Sequence, residues 1–286
     1  MAMDRIFRNL VRATGRVFPD CVTLSQAIAF NMFLAFFPLL LLALGLLSDT
    51  SLFQDALREI PDRLSQILPP GSAEVVAGYF VRKTVHPWRW ILLGLGGTLL
   101  AGMQTMIGYM EAFRVIEGDL LEPGYWRRQA RALGLLCLTI VPMLAVVVLT
   151  VFGKQARAWV MQQTDSPIFT HYVVLAVYAP VVFILAMGVL VLLYRLGRPG
   201  HKGYMALLPG AVVATVLWWA ADIIFGWYVR RMPYDVLYRG LASAIGLLLW
   251  MFLTAIIVLL GAAYNAEARE AREASARTSN MTVVVP

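Results

Sequence analysis

The stretch LASAIGLLLWMFLTAIIVLLGAAYNAEAREAREASAR, residues 241–277, changes character once. From Leu241 to Ala263 it carries no charge. From Glu267 onward it alternates Ala, Glu and Arg. An uncharged apolar run of about 20 residues matches the thickness of a bilayer's hydrocarbon core. In that medium a lone segment must satisfy its own backbone, so it is helical. The charged continuation reads as the same helix leaving the membrane, with residues 269–286 a flexible tail for want of an apolar face.

Five further runs of this kind stand upstream, at about Ala27–Leu47, Trp90–Met110, Leu133–Phe152, Tyr172–Tyr194 and Tyr204–Tyr228. The totals agree: 60% of the 286 residues are hydrophobic, 14% are charged, and the mean hydropathy is +0.71. Soluble domains carry about 45–50% apolar and about 25% charged residues. A soluble enzyme, a disordered chain and a coiled coil are excluded. The expected fold is an all-α integral membrane protein with six transmembrane helices, residues 1–268 forming one membrane domain.

Two polar segments have amphipathic spacing. In residues 1–18, Ile6, Phe7, Leu10, Val11, Val17 and Phe18 recur at helical intervals opposite Arg5, Arg8, Arg12 and Arg16. That pattern predicts a helix in the headgroup layer with guanidinium groups on phosphate. Residues 52–83 repeat it, with Phe53, Leu57, Ile60, Leu64 and Ile67 on one face, and predict a helical cap outside the membrane. The start of the chain has no apolar core followed by a small-residue cleavage site, so no removable signal peptide is expected. With six spans the termini share a side. That side holds 14 of the 24 Lys and Arg residues, so both termini are expected in the cytoplasm. The net charge of +7 then belongs with anionic lipid rather than nucleic acid.

Catalytic constellations are missing. His86, His171 and His201 are dispersed, Cys21 and Cys137 are far apart, and there is no HExxH, GxSxG or GxxxxGK[ST]. Glu117, Asp119 and Glu122 sit among basic residues, as a solvated loop would. No enzyme, metal or cofactor is expected.

Asp222, inside an apolar span, is the sharpest single residue. It reads either as a proton-coupling or cation-contact group in a cavity, or as an ion pair with Arg230 or Arg231 that only fixes packing. Asn31, Gln26 and Gln104, with Trp218 and Trp219 beside Asp222, complete the cavity candidates; amides of this kind also serve as hydrogen-bonding glue between helices. Asn265 and Glu267, at the end of the last span, read as capping and interface residues. Arg114, Arg127 and Arg128 are the lipid-headgroup candidates. Pro38, Pro142, Pro180 and Pro209 fall within or at the start of four spans, a feature of helices broken around a cavity. Glycines 94, 96, 97 and 102 mark the second span as one that packs closely, within one chain or in a homo-oligomer.

Several of these stretches resemble the YihY/BrkB family of bacterial inner-membrane proteins. The resemblance rests on Leu208–Ala211 (LPGA), on Phe225 and Tyr228, and on Leu249, Trp250, Gly261, Ala262, Asn265 and Ala266. The opening span and the stretches GYMEAFRVIEGD and YWRRQA (residues 108–119 and 125–130) also look like the family's. Asn31, Ala35 and Ala263 depart from its pattern. The resemblance implies six spans with cytoplasmic termini. Members have been labelled virulence or serum-resistance factors, and once ribonuclease BN. This chain offers no metal cluster for a nuclease. The expected function is transport of a lipid or other anionic amphiphile through a polar-lined cavity; the alternative is a membrane scaffold serving envelope integrity or virulence.

Overall fold

The computed structural model describes residues 2–18, 20–47, 87–119, 124–140, 167–197, 203–231 and 239–283. The expected cap at residues 52–83 lies outside them. The described residues form seven helices: α1 (Ala2–Val17), α2 (Asp20–Leu47), α3 (Pro87–Glu117), α4 (residues 125–140), α5 (Pro167–Gly197), α6 (Tyr204–Arg231) and α7 (Arg239–Val283). Four contain stretches long and apolar enough to cross a membrane: Cys21–Leu42, Ile91–Glu117, Tyr204–Tyr228 and Ala244–Arg277. These match the expected first, second, fifth and sixth spans. The expected third span is described as far as residue 140. The fourth falls in α5, whose described apolar stretch is Phe183–Gly197.

The chain divides into two compact units. The terminal unit comprises Met1–Leu24, Met106–Trp219 and Ile256–Pro286; the second comprises Ser25–Thr105 and Ala220–Ala255.

In the terminal unit small residues bring helices together. Ala211 and Ala214 of α6 and Ala263 and Ala266 of α7 are buried. Gly210 and Gly261 meet backbone to backbone, and a Cβ on Gly210 would fall on the Gly261 carbonyl oxygen. Without water to drive association, membrane helices gain by van der Waals contact, so loss of side-chain bulk is favourable there. Phe113 lies between Tyr109 and Tyr194, with ring centroids 6.1 and 5.6 Å away, and packs against Gly197. Helix α3 ends in a Schellman turn. Gly118 takes φ 68°, its N–H donates to Val115 O, and the Asp119 N–H donates to Arg114 O.

In the second unit, the glycine-rich face of α3 receives the proline of α2. A Cβ on Gly94 would strike Pro38 O and Leu42 N, and one on Gly97 would strike the Pro38 ring. The residue that breaks one helix therefore sits where the other has no side chains. Gly96, one position away, faces open space.

The expected helical continuation of the last span is present, and α7 runs unbroken to Val283. The stretch AEAREAREASAR is made of strong helix formers. Arg269 pairs with Glu273 one turn on and with Glu117 of α3. An absent apolar face does not end a helix that charge pairs and propensity both favour.

Candidate functional site

The cavity candidates do not assemble into one hydrogen-bonded site. Asp222, Gln104 and Gln26 are exposed and Asn31 is half-buried, and no hydrogen bond or ion pair joins any of the four to another described residue. Asp222 therefore has no described cation beside it, and the side chains of Arg230 and Arg231 are outside those described. Trp218 and Trp219 are half-buried. Trp219 meets Phe183 of α5 edge-on, centroids 5.5 Å apart. Trp219 is thus a packing residue between α5 and α6.

The headgroup candidates divide. Arg114 and Arg128 both pair with Glu111, at 3.3 and 3.4 Å. Arg127 stays exposed. A carboxylate shared by two guanidiniums weakens the pull of both on an outside anion. Among the described residues, no group of three or more His, Cys, Asp or Glu gathers as a metal site.

The LPGA and GAAYNA stretches prove to be one device. Pro209 removes a backbone donor from α6 and disturbs the helix around it. The Asn265 side chain braces the backbone on either side of Pro209 from α7: its Nδ2 donates to Leu207 O at 3.0 Å, and its Oδ1 accepts from the Gly210 N–H at 2.8 Å. Close approach at Gly210 and Gly261 is what allows a short amide to reach. Beside them the Tyr194 hydroxyl donates to Val258 O at 2.9 Å. Asn265 therefore joins two helices rather than capping one. A water-sized void bounded by Phe113, Glu117, Tyr194 and Asn265 is all that remains there.

Helix α1 is tied to this unit through Arg16. Its Nε lies 3.0 Å from Glu267, its Nη2 pairs with Glu270 at 2.8 Å, and its Nη1 donates to Ile116 O at 3.4 Å. Asn9, Ala13 and Val17 are the buried face. The sequence pattern had grouped Val11 and Phe18 with the apolar side, yet they are 55% and 47% exposed.

Between α1 and α7 opens a cavity of about 510 Å³, bounded by Arg8, Asn9, Arg12, Pro209, Tyr264 and Arg272 among others. Its lining holds three arginines and no carboxylate. Sequence periodicity placed Arg8 and Arg12 on the polar side of α1 but did not bring Arg272 or Tyr264 to them. The available signal was Asn9, a polar residue in the apolar side of the pattern.

Long apolar helices packed through glycine, alanine and buried amide contacts define a helical membrane protein. Residues 18–284 match the family model described as Virulence factor BrkB, and the chain belongs to that family. It is similar to a UPF0761 membrane protein of Aliivibrio salmonicida, 24% identical over 264 residues covering 89% of this chain and 81% of that one. A UPF0761 membrane protein of Alkalilimnicola ehrlichii is also 24% identical, across 86% of this chain. There the chain spans 54% of the relative's length. A putative ribonuclease-like protein, YfkH of Bacillus subtilis, is 34% identical over 61 residues, 21% of this chain and 22% of that one. No solved structure matches.

Proposed function

We propose that the protein carries a lipid or other anionic amphiphile across the bacterial inner membrane, as six spans with both termini in the cytoplasm and α1 lying in the interface. The observation that carries this reading is Asp222. It stands in the apolar stretch Tyr204–Tyr228, exposed and without a described ion-pair partner. A charged group inside a span is costly, and such residues commonly face water or a transport path. In this role Asp222 is the charged contact on the path along which the substrate moves. The chain acts without enzymatic chemistry, and without metal or nucleic acid. Its partners are membrane lipids and, through its close-packing faces, other copies of itself.

The test is movement of headgroup-labelled phospholipid between leaflets of liposomes holding the purified protein, with and without a pH gradient. Movement above that of empty liposomes, reduced by Asp222→Asn, is expected. No movement under either condition would sink the reading. A second reading, a scaffold for envelope integrity or virulence, is favoured by the backbone contact of Gly210 with Gly261, which leaves no passage at that crossing.

A further inference from the structure

We infer that the cavity between α1 and α7 is a binding site for the phosphate group of an anionic membrane lipid. Three observations converge. The first is charge. Arg8, Arg12 and Arg272 line the cavity with no carboxylate in its wall, and none of the three has an ion pair among the described residues. Other arginines of the same unit differ: Arg16, Arg114, Arg128 and Arg269 are each held by glutamate.

The second is available polarity. Asn9 and Tyr264 line the cavity, and neither has a hydrogen bond to a described residue. Their polar atoms are not among the described buried atoms cut off from solvent without a partner, so the amide and the hydroxyl open on the cavity and are free to meet an occupant. A phosphate oxygen accepts from an amide N–H, a phenolic O–H and a guanidinium alike, so one occupant answers all five groups.

The third is helix register. Arg8 and Arg12 lie one turn apart on α1, and Tyr264 and Arg272 lie on one side of α7, four residues before and four after Ala268, which also lines the cavity. The ion pairs of Arg16 with Glu267 and Glu270 hold the two helices at this separation. The volume of about 510 Å³ falls in the range of small-molecule sites and admits a headgroup rather than a bare ion. Val11 and Phe18, exposed on α1, supply apolar surface for acyl chains beside it.

The site requires binding only, so it stands or falls separately from transport. The experiment titrates full-length protein in detergent with dihexanoyl phosphatidylglycerol, dihexanoyl phosphatidylcholine and inorganic phosphate. It repeats the titration with the triple variant Arg8→Gln/Arg12→Gln/Arg272→Gln and with Arg131→Gln, an exposed arginine outside the cavity. Phosphatidylglycerol is expected to bind more tightly than the other two probes. The triple variant should weaken it by about tenfold or more, since charge-assisted hydrogen bonds dominate such contacts; Arg131→Gln should leave it unchanged. Equal affinity in the triple variant overturns the proposal, as does an equal loss in Arg131→Gln. Inorganic phosphate binding as tightly as phosphatidylglycerol overturns the assignment to lipid. Should the triple variant not fold, Ala271→Trp fills the cavity without altering charge: lost phosphatidylglycerol binding supports the site, and retained binding overturns it. Liposomes that show no lipid movement, from protein that still binds phosphatidylglycerol through these arginines, would remove the transport reading alone.

Discussion

The terminal unit and the second unit treat polar groups differently. In the terminal unit several inward ones are answered across helices. Asn265 bonds Leu207 and Gly210, Tyr194 bonds Val258, and Arg16 bonds Glu267, Glu270 and Ile116. In the second unit Asp222, Gln104 and Gln26 are exposed and unbonded among the described residues. The close contact there is steric, Pro38 against Gly94 and Gly97. The difference teaches where each unit's specificity comes from. One crossing is fixed by directional hydrogen bonds, the other by shape. Directional bonds resist sliding, while a proline ring against glycines is held by dispersion and tolerates small shifts.

The strongest way to break the comparison is to add a methyl group. Gly210→Ala forces a Cβ onto the Gly261 carbonyl, and Gly94→Ala onto the backbone of Pro38 and Leu42. Each should cost about 3 kcal/mol, read as a lower melting temperature in detergent. Gly96→Ala, with open space around it, should leave stability unchanged or slightly improved; equal losses at Gly94 and Gly96 would refute the Pro38 contact.

Next in size is Asn265→Ala. It leaves the Gly210 N–H and the Leu207 carbonyl unanswered, at about 2 kcal/mol. A melting temperature within error of the parent's would show that the bonds of Asn265 to α6 add nothing to the crossing. Smaller is Arg16→Gln. Its ion pairs are partly exposed, with Arg16 25% and Glu267 12% accessible, so the expected loss is about 1 kcal/mol after screening. The sharper readout is local: trypsin should cut at Arg8 and Arg12 faster once α1 is loosened. An unchanged cleavage rate would mean that Asn9, Ala13 and Val17 hold α1 without help. The smallest stability effect belongs to Asp222→Asn, within about 0.5 kcal/mol because the side chain is exposed and unpaired. A drop of several kcal/mol would reveal a cation beside it and return Asp222 to a packing role.

The membrane class was legible in Leu241–Ala263 alone, because the bilayer imposes one length and one backbone solution on any apolar run. Four apolar helices stand where periodicity placed them. The LPGA and GAAYNA stretches were visible as motifs, but their joint purpose was not. Nothing in the spacing of residues 210 and 265 says that the side chain of one bonds the backbone of the other's helix. How far the last helix runs past its apolar stretch was not legible, since apolar periodicity is silent about helices held by charge pairs.

The candidate site shows the same division. Composition and pattern located the arginines, as a helical repeat must. They could not say which would be claimed by glutamate. Arg114 looked available until Glu111 was placed 3.3 Å away, and Arg8 looked like one of four equivalent charges until Arg16 alone met Glu267 and Glu270. Hydropathy and helical period act between neighbours in the chain, so the sequence by itself determined the membrane class and the apolar helices. Pairing acts across distances of 55 residues between Gly210 and Asn265, and 254 between Arg16 and Glu270. Only packing brings such residues within 3 Å, and only tertiary structure decided which charges are neutralised and which line an open cavity.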